Sequence, residues 1–159
     1  MRSLTTGAVT IPQTTIQEDT MNRLHPIQEA YGIADAIYDQ CVKERNKAEL
    51  QYLLRIGYKK PDGTEPKSPY DMGDISDEQF DAITSAMMHD PEVSRANDNY
   101  YRAVDNKTDK ENKLIDWSLS LLPFPKEREI LNANRNNYTI RQKLIDLALK
   151  LDASTIPAR

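Results

Sequence analysis

Cysteine, glycine and the larger aromatic residues are scarce in this sequence. The single cysteine, Cys41, excludes an internal disulfide, so the chain gives no argument for an oxidising compartment. Five glycines in 159 residues disfavour a turn-rich β architecture. Because there are two Phe and one Trp, the main aromatic residue is Tyr, which suits half-buried positions that keep the hydroxyl in water. The composition therefore favours a helical protein with a thin core.

Long apolar runs are also missing. The N-terminal residues contain no apolar stretch of the length that a secretory signal peptide or a membrane span requires. We therefore expect a cytoplasmic or virion protein that is not secreted through a signal peptide and has no membrane partner.

No pattern typical of a catalytic or cofactor site occurs. The sequence lacks the CxxC and HxxxH spacings of metal sites and the GxxxxGK[ST] and GxGxxG loops that bind phosphates. Cys41 lies on the apolar face of a predicted helix, which favours a structural cysteine over a nucleophile. The sequence therefore predicts a protein that is not an enzyme and has no cofactor. An enzyme that uses scattered carboxylates stays open, and its mark would be a deep pocket lined by acids with raised pKa values.

Apolar residues recur at helical spacing in the first half of the chain. They run from Ile27 to about Ile56 and predict one long helix, with Gly57 near its C-terminal cap. Pro26 fits the first turn of this helix, where the N–H that proline lacks would have no helical partner.

The clearest local helix start is the stretch ISDEQF. Ser76, with Gln79 three residues later, forms a capping box and predicts a helix over residues 77–88. We expect Phe80, Ile83 and Met87 to be its buried face. The pair Asp90-Pro91 then predicts a stop and the start of a new helix.

The later helix starts leave one alternative open. Residues 105–112 are compatible with a continuing helix or with a break after which Thr108 and Glu111 begin another. A short helix is expected over residues 126–133, and Thr139 predicts the start of the last helix. Together these segments predict an all-α fold, an irregular bundle of about five to six helices. The bundle forms a domain at 25–152, with a tail at 153–159.

An N-terminal arm is predicted over residues 1–24. This stretch is rich in Thr, Val and Ile and has no charge from Ser3 to Gln17, which is typical of an extended, strand-like segment. It can dock onto a partner protein, with a floppy leader as the alternative reading. The predicted docking residues of the arm are Val9, Ile11, Pro12 and Ile16.

A long loop is predicted over residues 59–74, where three prolines and two glycines fall together. A loop of this length is either functional or fixed by a neighbour, so we predict that it docks onto a partner as well. Its predicted docking residues are Pro61, Pro66, Pro69 and Tyr70.

The net charge of −4 is unevenly distributed. Residues 61–92 carry nine acids against one lysine, whereas residues 123–159 carry seven bases against four acids. The basic end supports an alternative function, a nucleic-acid-binding adaptor, although its bases form no dense stripe. The predicted nucleic-acid contacts are Arg135, Arg141 and Lys143.

An extended arm, together with a helical domain whose sequence shows no catalytic or cofactor pattern, favours a non-catalytic structural or assembly subunit of a larger protein complex. A homo-oligomeric ring or shell is one such complex. A virion component, such as a connector or a capsid- or tail-associated protein, is the form that we favour. An accessory subunit of a large cellular complex is the alternative.

Overall fold

The computed structural model describes the backbone of residues 13–151 and the side chains of residues 21–151. This part of the chain contains five α-helices and no β-strand, so the predicted all-α class is confirmed. None of the five is both long and apolar enough to cross a bilayer. The helices are α1 (Gln13–Arg55), α2 (Asp77–Met87), α3 (Pro91–Ser120), α4 (Pro125–Ala133) and α5 (Tyr138–Lys150).

The first helix begins much earlier than its sequence pattern predicted. Because α1 starts at Gln13, the prediction of an extended arm is wrong for residues 13–24, and residues 1–12 lie outside the described part. Pro26 lies inside α1 and not in its first turn. Leu24 is fully buried in a hydrophobic cluster, and Met21 packs against that cluster. Burial of this turn outweighs the local preference of proline for a helix start.

The third helix is continuous, so the break considered at residues 105–112 does not occur. Lys107, from this stretch, pairs with Asp35 of α1 at 2.9 Å, and Glu111 pairs with Arg141 of α5 at 3.0 Å. The stretch therefore contacts α1 and α5 as part of one continuous helix. The chain therefore has five helices in its described part.

The helix starts read from the sequence at Ser76 and at Asp90 are confirmed. The Ser76 Oγ accepts from the Gln79 amide at 3.2 Å, and the Gln79 Oε1 accepts from the Ser76 amide at 3.1 Å. Asp90 precedes Pro91 as expected and accepts from the Val93 amide at 3.2 Å.

The start of the last helix was placed two residues too late. Asn137, and not Thr139, is the N-cap of α5, because the Asn137 Oδ1 accepts from the Ile140 amide at 3.2 Å. Both residue types are good N-caps, and a run of asparagines before Thr139 offers several candidates at once. The local sequence alone does not choose among them.

The chain divides into two compact units, one formed by residues 33–108 and the other by the residues before and after them. We call the unit formed by the residues before 33 and after 108 the outer unit, because it holds the two ends of the sequence. In it, the first part of α1, the second part of α3 and α5 bury a cluster around Leu114, Ile115 and Ile145. Gln28 donates its Nε2 to the carbonyl oxygens of Ala148 at 2.7 Å and Leu151 at 3.1 Å. The end of α5 is thereby capped by α1.

The inner unit, residues 33–108, has a cluster of its own. Its buried members come from α1, the segment between α1 and α2, α2 and α3. Met87 of α2 is buried there and Ile83 is half-buried, as predicted, but Phe80 is 45% exposed and does not join the cluster. The buried residues of this cluster are Leu53, Met72, Met87 and Val93.

Candidate functional site

The segment between α1 and α2 is held by its own hydrogen bonds. The Tyr58 hydroxyl donates to the Met72 carbonyl at 2.6 Å and joins the two ends of the segment. The Asp71 carboxylate accepts from the Lys67 amide at 3.0 Å and from the Lys60 ammonium at 3.1 Å. These two donors lower the pKa of Asp71, the amide most strongly. The predicted loop is thus tied down by residues of its own unit.

Gly73 allows the two ends of this loop to meet. Its φ of +78° lies in the left-handed region, and a Cβ on this residue would come within 2.8 Å of Pro61 Cδ. Any other residue would strain the backbone here and displace the ring of Pro61. The position of Pro61 therefore depends on the glycine.

Pro61 forms one wall of an open groove of about 470 Å³ beside α2. We call it the α2 groove. Its lining is mainly apolar, and its one lysine, Lys59, is already paired with Glu65 at 3.3 Å. The volume lies within the range of small-molecule pockets, about 300–1,000 Å³. The lining residues are Tyr58, Lys59, Pro61 and Ile75 from the loop, and Gln79, Ala82 and Ile83 from α2.

Four exposed acids stand next to the lining residues in the sequence. None of the four has an ion-pair partner among the described residues. We call these four residues the acidic rim. Two of them, Asp77 and Glu78, occupy the first turn of α2, where the helix dipole favours negative charge. The acidic rim consists of Asp74, Asp77, Glu78 and Asp81.

The four predicted docking residues of the loop have different environments. Pro61 is exposed in the wall of the α2 groove, and Tyr70 is 73% exposed, with its hydroxyl donating to Asn46 Oδ1 at 3.2 Å. Pro66 and Pro69 are buried, so they cannot present their rings to a partner. The proline-rich composition predicted a loop surface, whereas two of its prolines serve to pack the loop.

Sequence reasoning missed most of the groove lining. Ile83 was assigned to a buried helix face, and Tyr58 and Ala82 were not singled out. The groove forms where the loop and α2 meet. That meeting depends on contacts between residues distant in the chain, so no local pattern marks the lining residues.

The predicted docking residues of the arm lie largely outside the described part. Val9, Ile11 and Pro12 precede Gln13 and are not described. Ile16 lies in α1, so its backbone is helical and not extended as predicted.

The basic residues proposed as nucleic-acid contacts are mostly engaged within the outer unit. The Arg141 side chain is 15% exposed, and its guanidinium donates to Glu111 Oε1 and Asn112 Oδ1, each at 3.0 Å. Arg135 pairs with Asp116 at 2.8 Å, and Lys143 is exposed. Two of the three cations therefore have internal partners, and the nucleic-acid function stays a prediction.

A second cluster in the inner unit combines tyrosines and cations. The Arg45 guanidinium lies 4.2 Å from the ring centre of Tyr100, and the Lys107 ammonium lies 4.4 Å from that of Tyr38. A hydrogen bond between the two tyrosines, followed by burial, raises the pKa of Tyr38. These cations act on rings of the same unit, which favours a packing role.

The remaining observations concern metals and known proteins. The described residues contain no group of three or more His, Cys, Asp or Glu side chains placed to hold a metal ion. Comparison of the chain with protein families, with curated proteins and with solved structures finds no match in any of the three.

Proposed function

We propose that this chain is a non-catalytic structural subunit that joins a larger protein assembly, such as a virion or a cellular complex, through its α2 groove. The groove would hold an apolar segment of a partner protein that carries basic residues. The observation that carries this proposal is the open, mainly apolar groove of about 470 Å³, whose lining residues have exposed acids next to them in the sequence.

The apolar lining supports the binding part of the proposal. Tyr58, Ile75 and Ile83 offer side-chain surface that water contacts only at a free-energy cost, so an apolar segment in the groove would gain from its removal. Phe80, on the same helix, is a further exposed apolar residue, with 45% of its surface accessible. Exposed aromatic residues of this kind are enriched at protein interfaces.

The charge of the rim supports the choice of partner. Four acids without an ion-pair partner in the described residues would repel an acidic segment and attract one with Lys or Arg. This complementarity sets specificity and association rate more than affinity.

Two substitutions on α2 test the proposal. Ala82 lines the groove and Ala86 does not, while both are exposed alanines of the same helix. Ala82→Arg would fill the groove with a long side chain, and Ala86→Arg would add the same charge outside it. The measurement is the stoichiometry and size of the complex that a tagged chain forms in the cells that express it.

We expect a partner at fixed stoichiometry that Ala82→Arg removes and Ala86→Arg retains. A chain that stays monomeric in those cells would contradict the proposal. So would a partner whose association both variants leave unchanged.

A further inference from the structure

We infer that the peptide bond between Asp62 and Gly63 is a modification site, at which isoaspartate forms spontaneously when the loop between α1 and α2 opens and which the closed loop protects. Asp62 and Gly63 are the one Asp-Gly pair of the sequence, and both are exposed. Glycine has no side chain to shield its backbone nitrogen, so this pair undergoes the reaction most readily. The inference holds whether or not the α2 groove binds a partner.

Isoaspartate formation proceeds through a cyclic imide. The backbone nitrogen of Gly63 forms a bond to the Cγ of Asp62, the bond from Cγ to the hydroxyl oxygen breaks, and the hydroxyl leaves with the amide proton as water. Water then returns to one of the two ring carbonyls, and opening at the main-chain carbonyl leaves the backbone running through Cβ and Cγ. The protonated carboxyl reacts faster than the carboxylate, because a hydroxyl is a better leaving group than an oxide.

The carboxyl of Asp62 is kept in its unreactive form by Thr64. The Asp62 Oδ1 accepts from the Thr64 hydroxyl at 2.6 Å and from the Thr64 amide at 2.9 Å. These bonds lower the pKa of Asp62, the hydroxyl most strongly. At a given pH, the protonated form that reacts is therefore scarcer in the closed loop than in an unfolded chain.

The attacking nitrogen is fixed by the backbone of the turn. The Gly63 amide donates to the Lys60 carbonyl at 2.8 Å, and the Lys60 amide donates to the Thr64 carbonyl at 2.9 Å. Asp62 is the third residue of the turn that starts at Lys60, and its φ is not positive, which is typical of a ψ of about 0°. Closing the imide ring requires a different ψ, so the hydrogen bond from Gly63 to Lys60 must break first.

Isomerisation at this position would change the wall of the α2 groove. It adds an extra carbon to the backbone of the turn and takes away the side-chain oxygen that binds Thr64. Pro61, which forms part of the wall, is the preceding residue. Chemical ageing of the loop would therefore alter the groove.

Incubation of the full chain at neutral pH tests the inference. One sample is folded and the other is unfolded in guanidinium chloride. The isoaspartate content of the peptide that contains Asp62 is followed by mass spectrometry with electron-transfer fragmentation. We expect the folded chain to react about tenfold more slowly, because ring closure must first break hydrogen bonds of the closed turn. Equal rates in the two samples would overturn the inference.

Two substitutions at Thr64 isolate the role of its hydroxyl. Thr64→Val removes the hydroxyl but keeps the shape and the amide, so the folded chain should form isoaspartate about two- to tenfold faster. Thr64→Ser keeps the hydroxyl and should retain the parent rate, and neither change should alter the rate in guanidinium chloride. The control is Thr108→Val, at an exposed threonine of α3 outside the loop. A Thr64→Val rate no faster than that of the parent, or an equal acceleration by Thr64→Ser or Thr108→Val, would overturn the inference.

Discussion

Glu49 lies in α1 with only 6% of its surface exposed, although it carries an ionisable group. Its one partner among the described residues is Arg45, whose Nε lies 3.6 Å away, beyond hydrogen-bonding distance. Burial raises the pKa of the Glu49 carboxyl, and the charge of Arg45 opposes this only in part. The charged form of Glu49 is therefore a cost to the folded protein.

This cost predicts a pH dependence. A carboxyl whose pKa is raised on folding destabilises the protein at pH values above that raised pKa, and the penalty is relieved as pH falls towards 4.5, the ordinary value for Glu. Glu49→Gln should therefore be more stable than the parent chain at pH 7, by about 1.4 kcal/mol for each unit of the pKa shift. Urea unfolding at several pH values measures the difference.

The difference should shrink as the pH falls from 7 towards 4.5. The control is Glu29→Gln, which changes an exposed glutamate of the same helix and should leave the pH profile unchanged. A Glu49→Gln effect that is constant over this range would show that burial does not hold the charge at a cost.

Sequence reading at single positions succeeded where the partner atoms are local. The Ser76–Gln79 capping box is complete within four residues and was confirmed. Sequence reading failed for Pro66 and Pro69, which were expected at a docking surface and are buried. Their burial depends on packing within the inner unit, which the local sequence does not show. The same limit applies to Arg141, whose carboxylate partner lies 30 positions away.

Among the helices, α1 departs most from its sequence pattern. Pro26 was read as a first-turn proline, yet the helix runs through it from Gln13. An interior proline removes one backbone hydrogen bond and crowds the preceding turn. Leu24 and Met21 nevertheless secure this turn, because they contribute to the cluster of the outer unit.

This arrangement predicts that Pro26→Ala stabilises the protein. Alanine restores the missing N–H and removes the clash, so we expect a gain of about 2 kcal/mol in the free energy of unfolding, within the roughly 3 kcal/mol that separates the two residues in helix interiors. Thermal and urea unfolding followed by circular dichroism measure this gain.

The matched control is Pro125→Ala. Pro125 is an exposed proline in the first turn of α4, where its missing N–H costs little, so its replacement should lower stability by about 0.4–1 kcal/mol through the unfolded chain. Equal effects of the two substitutions would mean that Pro26 also begins a helix, as the sequence pattern indicated.

Each of the two compact units has a separate hydrophobic cluster. Leu114 is fully buried in the cluster of the outer unit, and Leu53 is fully buried in that of residues 33–108. Among residues 21–151, none belongs to both clusters. The sequence was read as one helical domain at 25–152, and the division into two units follows from contacts that a linear pattern does not contain.

Separate clusters predict separate responses to core truncation. Leu53→Ala and Leu114→Ala should each lower stability by about 2–5 kcal/mol, because each leaves a cavity in a packed cluster. Hydrogen exchange measured by mass spectrometry should show faster exchange mainly within residues 33–108 for Leu53→Ala. For Leu114→Ala the faster exchange should appear mainly in residues 13–32 and 109–151.

Leu54→Ala is the control, since this neighbour of Leu53 is 40% exposed and should cost far less. If either core variant speeds exchange equally throughout the described chain, the protein unfolds as a single cooperative body and the two clusters do not act separately.

The sequence by itself determined the helical class, the end of α1 near Gly57, and the helix starts at Ser76 and Asp90. These features follow from periodicity, capping and turn chemistry, which act between residues a few positions apart. Contacts between distant residues decided the passage of α1 through Pro26, the burial of Pro66 and Pro69, and the α2 groove. Local patterns could not reveal them, because each depends on which side chains the folded chain brings together and removes from water.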